Sequence, residues 1–236
     1  MSNAENTKTM DSRNSVNAED KNGMIRGMLK DASILFAITL IAGLILSAVY
    51  HLTKEPIAAQ EEKAKTEARQ EVFADAASFT DAENFDPQAA QAVLDAGGFT
   101  GCSIDEYAAA CDADGNLLGY VITVTTHEGY SGDIQFTIGV RSDGTLNGMS
   151  ILSISETAGL GMRAEEVLVP QFAGKKADRF VYTKSGASAD DEIDAISSAT
   201  ITTSAVVDGV NAGLYYFQTE LAQQTGAAQE GGSVDE

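Results

Sequence analysis

The sequence predicts an α+β protein with a single N-terminal transmembrane helix and a stalk helix, followed by a small mixed domain of antiparallel strands with a C-terminal helix. Three observations predict this class. Residues 32–52 lack charged side chains, residues 103–154 carry β-branched runs separated by turn signals, and an apolar stripe of helical period follows residue 202. Strands followed by packed helices are typical of α+β domains.

The net charge of the chain is strongly acidic and unevenly distributed. The formal charge is −20 at pH 7, which argues against a nucleic-acid partner because a polyanion would be repelled. Acidic and basic side chains balance before Ala32, so the whole excess of acid lies beyond the apolar segment. The simpler interpretation of this charge is that it keeps the protein soluble. The more specific one is that it repels anionic lipid headgroups and so keeps the domain away from its own membrane.

Residues 32–52 are predicted to form an uncleaved membrane anchor. Roughly 20 apolar residues are needed to cross a bilayer core, and a helix is the single-segment structure that satisfies its own backbone there. A cleaved signal peptide is the alternative, but its apolar core would be shorter and small residues would follow it, whereas Thr53 and Lys54 follow here. Basic residues flank both sides, so charge alone does not decide the orientation.

The segments around the anchor are predicted to differ in structure. Residues 1–31 are polar, lack apolar periodicity and are expected to form a disordered cytoplasmic tail. Residues 53–78 are helix-forming after Pro56 and are expected to form a solvated stalk helix. We expect the mixed domain, residues 79–223, to lie outside the cytoplasm, and the polar residues 224–236 to be disordered.

Four strands are predicted in the first half of the mixed domain, after a stretch of loop and short helix. Leu117–Thr126 is rich in β-branched residues, and turn residues separate the candidate strands. Residues 142–145 are a hairpin signal, and residues 112–116 are a plain turn because they lack the glycine and glutamate of a calcium loop. The predicted strands are Ser103–Ala110, Leu117–Thr126, Ile134–Val140 and Leu146–Ile154.

The second half of the domain is predicted to contain a short helix, a strand and a long helix. Met162–Val169 is the short helix candidate, closed by Pro170, and Phe180–Thr183 is the strand candidate. The long helix begins near Thr202, and its apolar residues recur at intervals of three and four, which indicates one buried stripe. The stripe consists of Val206, Val210, Leu214, Phe217 and Leu221.

Residues suited to acid–base, nucleophilic or metal chemistry are scarce in this sequence. His127 follows a strand beside a glycine turn, where a histidine is more often a surface residue than a base. No Ser/His/Asp order, HExxH or Walker-type loop is present. Cys102 and Cys111 lack zinc-site spacing, and a disulfide and two inert thiols are equal alternatives. We therefore predict no catalytic residue and no metal site, and expect the chemistry to belong to a bound cofactor.

Three segments are candidates for a cofactor site. Residues 127–134 place two glycines around Tyr130, which permits close backbone approach, and residues 155–162 form a glycine-rich turn leading into a helix. Residues 194–200 precede the long helix, where free N–H groups and the helix dipole favour an anion. Each segment alone has an ordinary alternative, since hydroxyls before a helix are commonly caps and glycines commonly form turns.

Together the three segments resemble the FMN-binding domain family shared by the G subunit of Rnf complexes and the C subunit of sodium-pumping NADH:quinone reductases. The family's attachment motif, D-x-x-S/T-x-A-T, is matched by Asp194, Ser197, Ala199 and Thr200. Its E-T-P-G-L-G turn is matched by Glu156, Thr157, Gly159, Leu160 and Gly161. Its G-Y-x-G-x-I segment is matched by Gly129, Tyr130, Gly132 and Ile134.

Two positions depart from the family's motifs. Ala158 stands where the turn usually has a proline, so the turn loses a fixed φ angle. Ser198 stands where glycine is commoner before Ala-Thr, so this position must avoid a positive φ or tolerate strain. Neither departure removes the hydroxyl of Thr200.

The resemblance implies a flavoprotein in which a flavin transferase attaches FMN through its phosphate to Thr200. Asp194 would serve recognition by the transferase or cap the turn, and the isoalloxazine ring would lie against Leu160 and Met162. The implied recognition segment is Asp194, Ser197, Ser198 and Ala199. The other implied lining residues are Glu156, Thr157, Gly159, Leu160, Gly161, Met162, Gly129, Tyr130 and Gly132.

The resemblance also implies a function and partners. A G-type subunit would relay electrons through FMN, without substrate turnover of its own, in a membrane complex that passes electrons between reduced ferredoxin and NAD⁺ and moves Na⁺ or H⁺. Other subunits, the flavin transferase and membrane lipid would be its partners. The corresponding quinone reductase subunit is the close alternative. A tethered extracytoplasmic binding module without a redox role, in which Thr200 is only a cap, is the distant one.

Overall fold

The computed structural model describes residues 3–223, with side chains at residue 24 and from residue 26 onward, and it has two compact units that meet between Gln60 and Glu61. The helices are α1 (Asn3–Val72), α2 (Pro87–Ala96), α3 (Ala164–Val167), α4 (Val169–Phe172) and α5 (Thr200–Tyr216). The strands are β1 (Ser78–Asp81), β2 (Cys102–Cys111), β3 (Leu117–Thr126), β4 (Ile134–Arg141), β5 (Leu146–Ile154), β6 (Val181–Thr183) and β7 (Glu192–Asp194). This architecture confirms the predicted α+β class.

Helix α1 is one continuous element in place of the separate tail, anchor and stalk that the sequence suggests. Residues 3–31 are helical, so the prediction of a disordered tail is wrong for them. Helix propagation costs little once an apolar segment has nucleated it, and the flanking polar residues include good helix formers. Pro56 lies inside this helix. Within the described chain, Arg26–Val72 is the one stretch long and apolar enough to cross a membrane, by length and composition.

The four strands predicted in the first half of the domain, together with the unpredicted β1, form one antiparallel sheet in the order β1-β2-β3-β4-β5. The predicted hairpin joins β4 and β5, with Gly144 at a φ of 85°. Strand β1 was missed because it has four residues and pairs with the free edge of β2, an interaction that its own sequence does not reveal. Residues 224–236, expected to be a disordered tail, lie outside the described residues.

The two cysteines lie at opposite ends of β2, and this placement decides between a disulfide and two separate thiols. Cys102 and Cys111 are the first and last residues of a ten-residue strand, so about 30 Å of extended backbone separates them. Both are free thiols, and the disulfide alternative is excluded. Burial raises the pKa of the Cys102 thiol to about 11, which keeps it protonated and unreactive near neutral pH.

One face of the sheet carries the main core, and helices α2 and α5 pack on it. The predicted stripe of α5 is confirmed, since all five of its residues are buried. The helix starts at Thr200, two residues earlier than predicted, and ends in a single π-helical turn, Phe217–Leu221. Inward-facing residues of β3, such as Ile122 and Val124, alternate with residues that face the other side.

The opposite face of the sheet receives the end of α1. Val72, Phe73 and Ala76 are buried there in a second, smaller core. Gly119 and Gly139 make room for them, because a Cβ atom at Gly139 would lie 3.0 Å from the Phe73 ring and one at Gly119 would lie 2.9 Å from it. Two ion pairs add to this contact. They are Arg69 with Glu106 at 3.2 Å and Lys65 with Glu106 at 3.0 Å.

The segment between β5 and β6 departs from its prediction. The expected single helix Met162–Val169 is a 3₁₀ turn, Gly161–Arg163, followed by the short helices α3 and α4. Pro170 does not close a helix but lies in the first turn of α4, where its missing N–H costs nothing. The predicted strand near residue 180 is confirmed as β6, which pairs in parallel with the unpredicted β7.

Candidate cofactor site

One cavity gathers parts of all three segments that the sequence singled out. Its volume is about 470 Å³, within the range of roughly 300–1,000 Å³ typical of small-molecule sites. The lining residues are Tyr130, Glu156, Thr157, Leu160, Gly161, Ser198, Ala199, Thr200, Ile201 and Thr202. Ile201 and Thr202 were not predicted as lining residues. Ile201 is an apolar residue that lies off the buried stripe of α5, and an apolar side chain in such a position could have indicated a ligand contact.

The first turn of α5 presents open hydrogen-bond donors to this cavity. Ala199 is the N-cap residue and offers no side-chain cap. The N–H groups of Thr200, Ile201 and Thr202 have no partner among the described residues. Open donors and the dipole at a helix N-terminus favour an anion. The site therefore has a preformed place for a phosphate group.

The hydroxyl of Thr200 is not engaged in capping. Thr200 is the first residue of α5, and its side chain makes no hydrogen bond within the described chain. The loop is held by Thr203, whose hydroxyl accepts from the Ile196 N–H at 3.1 Å and donates to the Ala199 carbonyl at 2.9 Å. The capping interpretation of Thr200 therefore does not describe this helix, and the Thr200 hydroxyl has no hydrogen-bond partner within the described chain.

Ser198 stands where the family commonly has glycine, and it adopts the positive φ that is strained for a serine. Its φ is 65°, and within the described chain it is the one non-glycine residue with a positive φ. The left-handed region costs an L-residue about 1–2 kcal/mol. Strain of this kind persists only where surrounding structure imposes it. Here it turns the chain from the exposed loop into the first turn of α5, two residues before Thr200.

Replacing Ser198 by Gly is expected to stabilise the chain, by about 1 kcal/mol or less, because glycine adopts a positive φ without the Cβ clash. The matched control is Ser197→Gly, one residue earlier and also exposed, where φ is not positive. There the added chain entropy of the unfolded state should destabilise by about 0.5–1 kcal/mol. Urea unfolding followed by circular dichroism measures both. Equal shifts for the two variants would contradict the strain assigned to Ser198.

Glu156 occupies the narrow space between the other segments of the site. It is 8% exposed, and its Oε1 accepts hydrogen bonds from the N–H groups of Tyr130 at 2.7 Å and Ser131 at 3.3 Å. A Cβ atom at Gly129 would lie 2.8 Å from this Oε1, and one at Gly161 would lie 2.7 Å from the Glu156 Cβ. A Cβ atom at Gly129 would also overlap the Gly132 carbonyl oxygen, and one at Gly161 would lie 2.6 Å from the Thr202 Oγ1. Neither position therefore has room for a side chain.

Among the described residues of the globular unit, half of the large exposed apolar side chains line the cavity. In the described part of this unit, six large apolar side chains are exposed, and Tyr130, Leu160 and Ile201 among them line the cavity. Met162 is also exposed and lies two residues beyond Leu160, but it is not a lining residue. Exposed apolar groups around a cavity indicate a binding site for a partly apolar ligand.

Several predicted site residues lie outside the cavity wall. The Asp194 carboxylate accepts from the Ala187 N–H at 2.6 Å, so it holds the loop between β6 and β7. Ser197 is exposed in the loop before α5. Gly159 has a φ of 75°, which the turn requires. Gly129, Gly132 and Met162 flank lining residues without lining the cavity themselves.

His127 lies near this region as a surface residue. Its Nδ1 is 3.0 Å from the Asp133 carboxylate, and both side chains are largely exposed. Among the side chains that the structure describes, no cluster of three His, Cys, Asp or Glu is arranged to hold a metal ion. The polar groups that converge on the cavity are hydroxyls, backbone N–H groups and one carboxylate.

Two family models match the chain in the segments just described. Residues 129–215 match the FMN-binding domain, and residues 24–72 match the RnfG N-terminal region. The chain is 31% identical over 189 residues to the G subunit of the Na(+)-translocating ferredoxin:NAD(+) oxidoreductase complex of Acetobacterium woodii, covering 78% of this chain and 89% of that protein. This chain belongs to the RnfG family.

Other relatives extend the comparison. The G subunit of the proton-translocating ferredoxin:NAD(+) oxidoreductase complex of Clostridium ljungdahlii is 32% identical over 189 residues, covering 77% of this chain and 90% of that protein. Among solved structures, the crystal structure of Shewanella oneidensis NqrC aligns with a TM-score of 0.44 at 24% identity, over 52% of this chain and 61% of that chain. This chain therefore spans less than two thirds of that structure.

The cavity of this RnfG family member fits FMN chemically. All ten lining residues lie within the match to the FMN-binding domain. FMN combines a phosphate, a polyol chain and a flat aromatic ring. The open N–H groups of α5 suit the phosphate, and the apolar side chains of Tyr130, Leu160 and Ile201 suit the ring.

Proposed function

We propose that this chain is the FMN-carrying electron-transfer subunit of a membrane complex that couples ferredoxin:NAD⁺ electron transfer to the movement of Na⁺ or H⁺. The match to the FMN-binding domain supports the cofactor. The relatives from Acetobacterium woodii and Clostridium ljungdahlii support the complex, because the chain aligns with 89% and 90% of their lengths. Bound FMN would supply the electron transfer, so the protein needs no acid–base residue and has no substrate turnover of its own.

The proposal extends to a covalent bond between the FMN phosphate and the Thr200 hydroxyl. The single observation that carries it is the free hydroxyl of Thr200 at the cavity wall, beside the open N–H groups of α5. A phosphodiester keeps one negative charge, and the helix N-terminus stabilises such a charge by about 0.3–1 kcal/mol. Thr203 keeps the loop in place, so that Thr200 itself need not cap the helix.

A flavin transferase is the proposed partner during maturation. Ser197 and Ser198 are exposed immediately before Thr200, which supports access of an enzyme to this segment. Asp194 is placed differently from these residues, because its carboxylate is engaged by the Ala187 N–H. Of the two roles expected for Asp194, this contact favours the one of shaping the turn.

The proposed topology has the N-terminus in the cytoplasm and the flavin domain outside it. Residues 32–52 would lie in lipid, residues 1–31 in the cytoplasm, and residues 53–78 would leave the membrane as a stalk before the domain of residues 79–223. The apolar stretch within α1 supports the membrane-spanning part of this arrangement. Large domains translocate irrespective of the flanking charges.

The main alternatives are less well supported. A quinone reductase C subunit shares the FMN-binding domain, but residues 24–72 match the RnfG N-terminal region. A tethered binding module without a redox role requires Thr200 to be only a cap, whereas Ala199 is the N-cap and Thr203 holds the loop.

The intact mass of the matured chain tests the proposal. The protein is expressed in a host that supplies the flavin transferase, purified from membranes and denatured before mass spectrometry. We expect the mass of the polypeptide plus one FMN less one water, and a fluorescent band on a denaturing gel. A mass equal to that of the amino acids alone, with flavin released on denaturation, would refute the covalent bond. The same mass with no flavin released would refute the electron-carrier role.

A further inference from the structure

The buried carboxylate of Glu156 has two oxygens in different situations. Oε1 accepts from two backbone N–H groups, those of Tyr130 and Ser131. Oε2 has no hydrogen-bond donor within the described chain. The residue is 8% exposed and lines the cavity. Among the described residues no buried side-chain oxygen lacks a hydrogen-bond partner, so Oε2 is not sealed off and can be reached by a bound molecule.

The Oε1 side joins two segments that are distant in sequence. Glu156 follows β5, whereas Tyr130 and Ser131 belong to the loop between β3 and β4. Gly129 admits the carboxylate, since a Cβ atom there would lie 2.8 Å from Oε1. This side of Glu156 fixes the loop that carries Tyr130, an exposed aromatic residue at the cavity wall.

The second carboxylate oxygen, Oε2, lies near the Thr202 side chain in the first turn of α5. A Cβ atom at Gly161 would lie 2.8 Å from Glu156 Oε2 and 2.6 Å from Thr202 Oγ1, so both oxygens lie close to one point. Thr202 and Glu156 are both lining residues. Oε2 therefore lies near the Thr202 side chain of α5 and is available to a donor of a bound molecule.

We propose that Glu156 positions the Tyr130 loop through Oε1 and accepts a hydrogen bond from the bound flavin through Oε2. The second half rests on the proposed FMN function. FMN has N–H and hydroxyl donors that a carboxylate oxygen can accept, and such charge-assisted bonds are stronger than neutral ones. A negative charge held beside the flavin also disfavours adding an electron to it, so Glu156 lowers the reduction potential of the flavin.

Two substitutions at this position separate the two roles. Glu156→Gln keeps one carbonyl oxygen for the Tyr130 and Ser131 N–H groups but removes the negative charge. Glu156→Ala removes the oxygen acceptor as well as the negative charge. The matched control is Glu165→Gln, the same change of charge on an exposed side chain of α3. All variants are made in the full chain and matured with the flavin transferase.

The flavin-loaded chains test the Oε2 contact through their midpoint potentials. Glu156→Gln is expected to keep the covalent flavin mass and to raise the midpoint potential relative to wild type, whereas Glu165→Gln should leave the potential unchanged. An unchanged potential in loaded Glu156→Gln would overturn the contact. A wild-type chain without any flavin would instead contradict the proposed function, and the Oε2 contact with it.

The unloaded chains test the Oε1 contact through amide hydrogen exchange of Tyr130 and Ser131. Protection should be lost in Glu156→Ala and kept in Glu156→Gln, because only the alanine variant lacks an acceptor. Wild-type protection in Glu156→Ala would overturn the positioning role. This measurement needs no flavin, so it decides that role independently of the proposed function.

Discussion

A Thr200→Val chain, matured beside wild type in the same membranes, is expected to carry no covalent flavin. Valine has nearly the shape of threonine but lacks the hydroxyl that would be esterified. The Thr200 hydroxyl makes no hydrogen bond within the described chain and its side chain is half-buried, so the substitution should leave the fold and the cavity intact. Intact mass and fluorescence on a denaturing gel measure the result.

Two further variants make this result specific to the hydroxyl of Thr200. Thr200→Ser retains a hydroxyl and should retain covalent flavin, at reduced yield if the transferase needs the methyl group. Ser204→Ala, in the next turn of α5 and outside the cavity, should be loaded as wild type. A fluorescent band that persists in Thr200→Val would place the attachment elsewhere. Loss of the flavin from Ser204→Ala as well would indicate damage to α5.

Replacing Phe73 by Ala is expected to cost about 3–5 kcal/mol of unfolding free energy, the range for truncating a fully buried aromatic residue. Phe73 is 0% exposed and fills the space that Gly119 and Gly139 leave open on the sheet. Its ring also lies 5.7 Å from the Arg141 guanidinium. The chain has no Trp, so urea unfolding is followed by far-ultraviolet circular dichroism of the detergent-solubilised protein.

The control for this experiment is Phe79→Ala on β1. Phe79 packs against the same small core but is only partly buried, so its loss should be clearly smaller. Because the small core joins residues 72–76 to the back of the sheet, Phe73→Ala should also expose that segment to proteolysis. Equal unfolding free energies for the two variants would contradict the central place given to Phe73.

The sequence anticipated the elements whose signals are local. The β-branched residues of β3, the turn residues between the strands and the period of α5 are local features, so they can be read from the one-dimensional pattern. The elements that were missed are short and depend on partners. Strand β1 exists because β2 has a free edge, and β7 because β6 lies beside it. The prediction that Pro170 closes a helix was wrong, because a proline is compatible both with the end of one helix and with the first turn of the next.

The site divides in the same way. Sequence alone singled out the three segments that contribute to one cavity, the threonine that the resemblance proposes for attachment, and a serine where a positive φ would be strained. Only the tertiary structure decided that Thr203, rather than Thr200, holds the loop, and that Glu156 binds the backbone of a segment 26 residues away. Hydrogen bonds between segments depend on distances in space, and residue order does not encode those distances until the sheet and α5 have packed together.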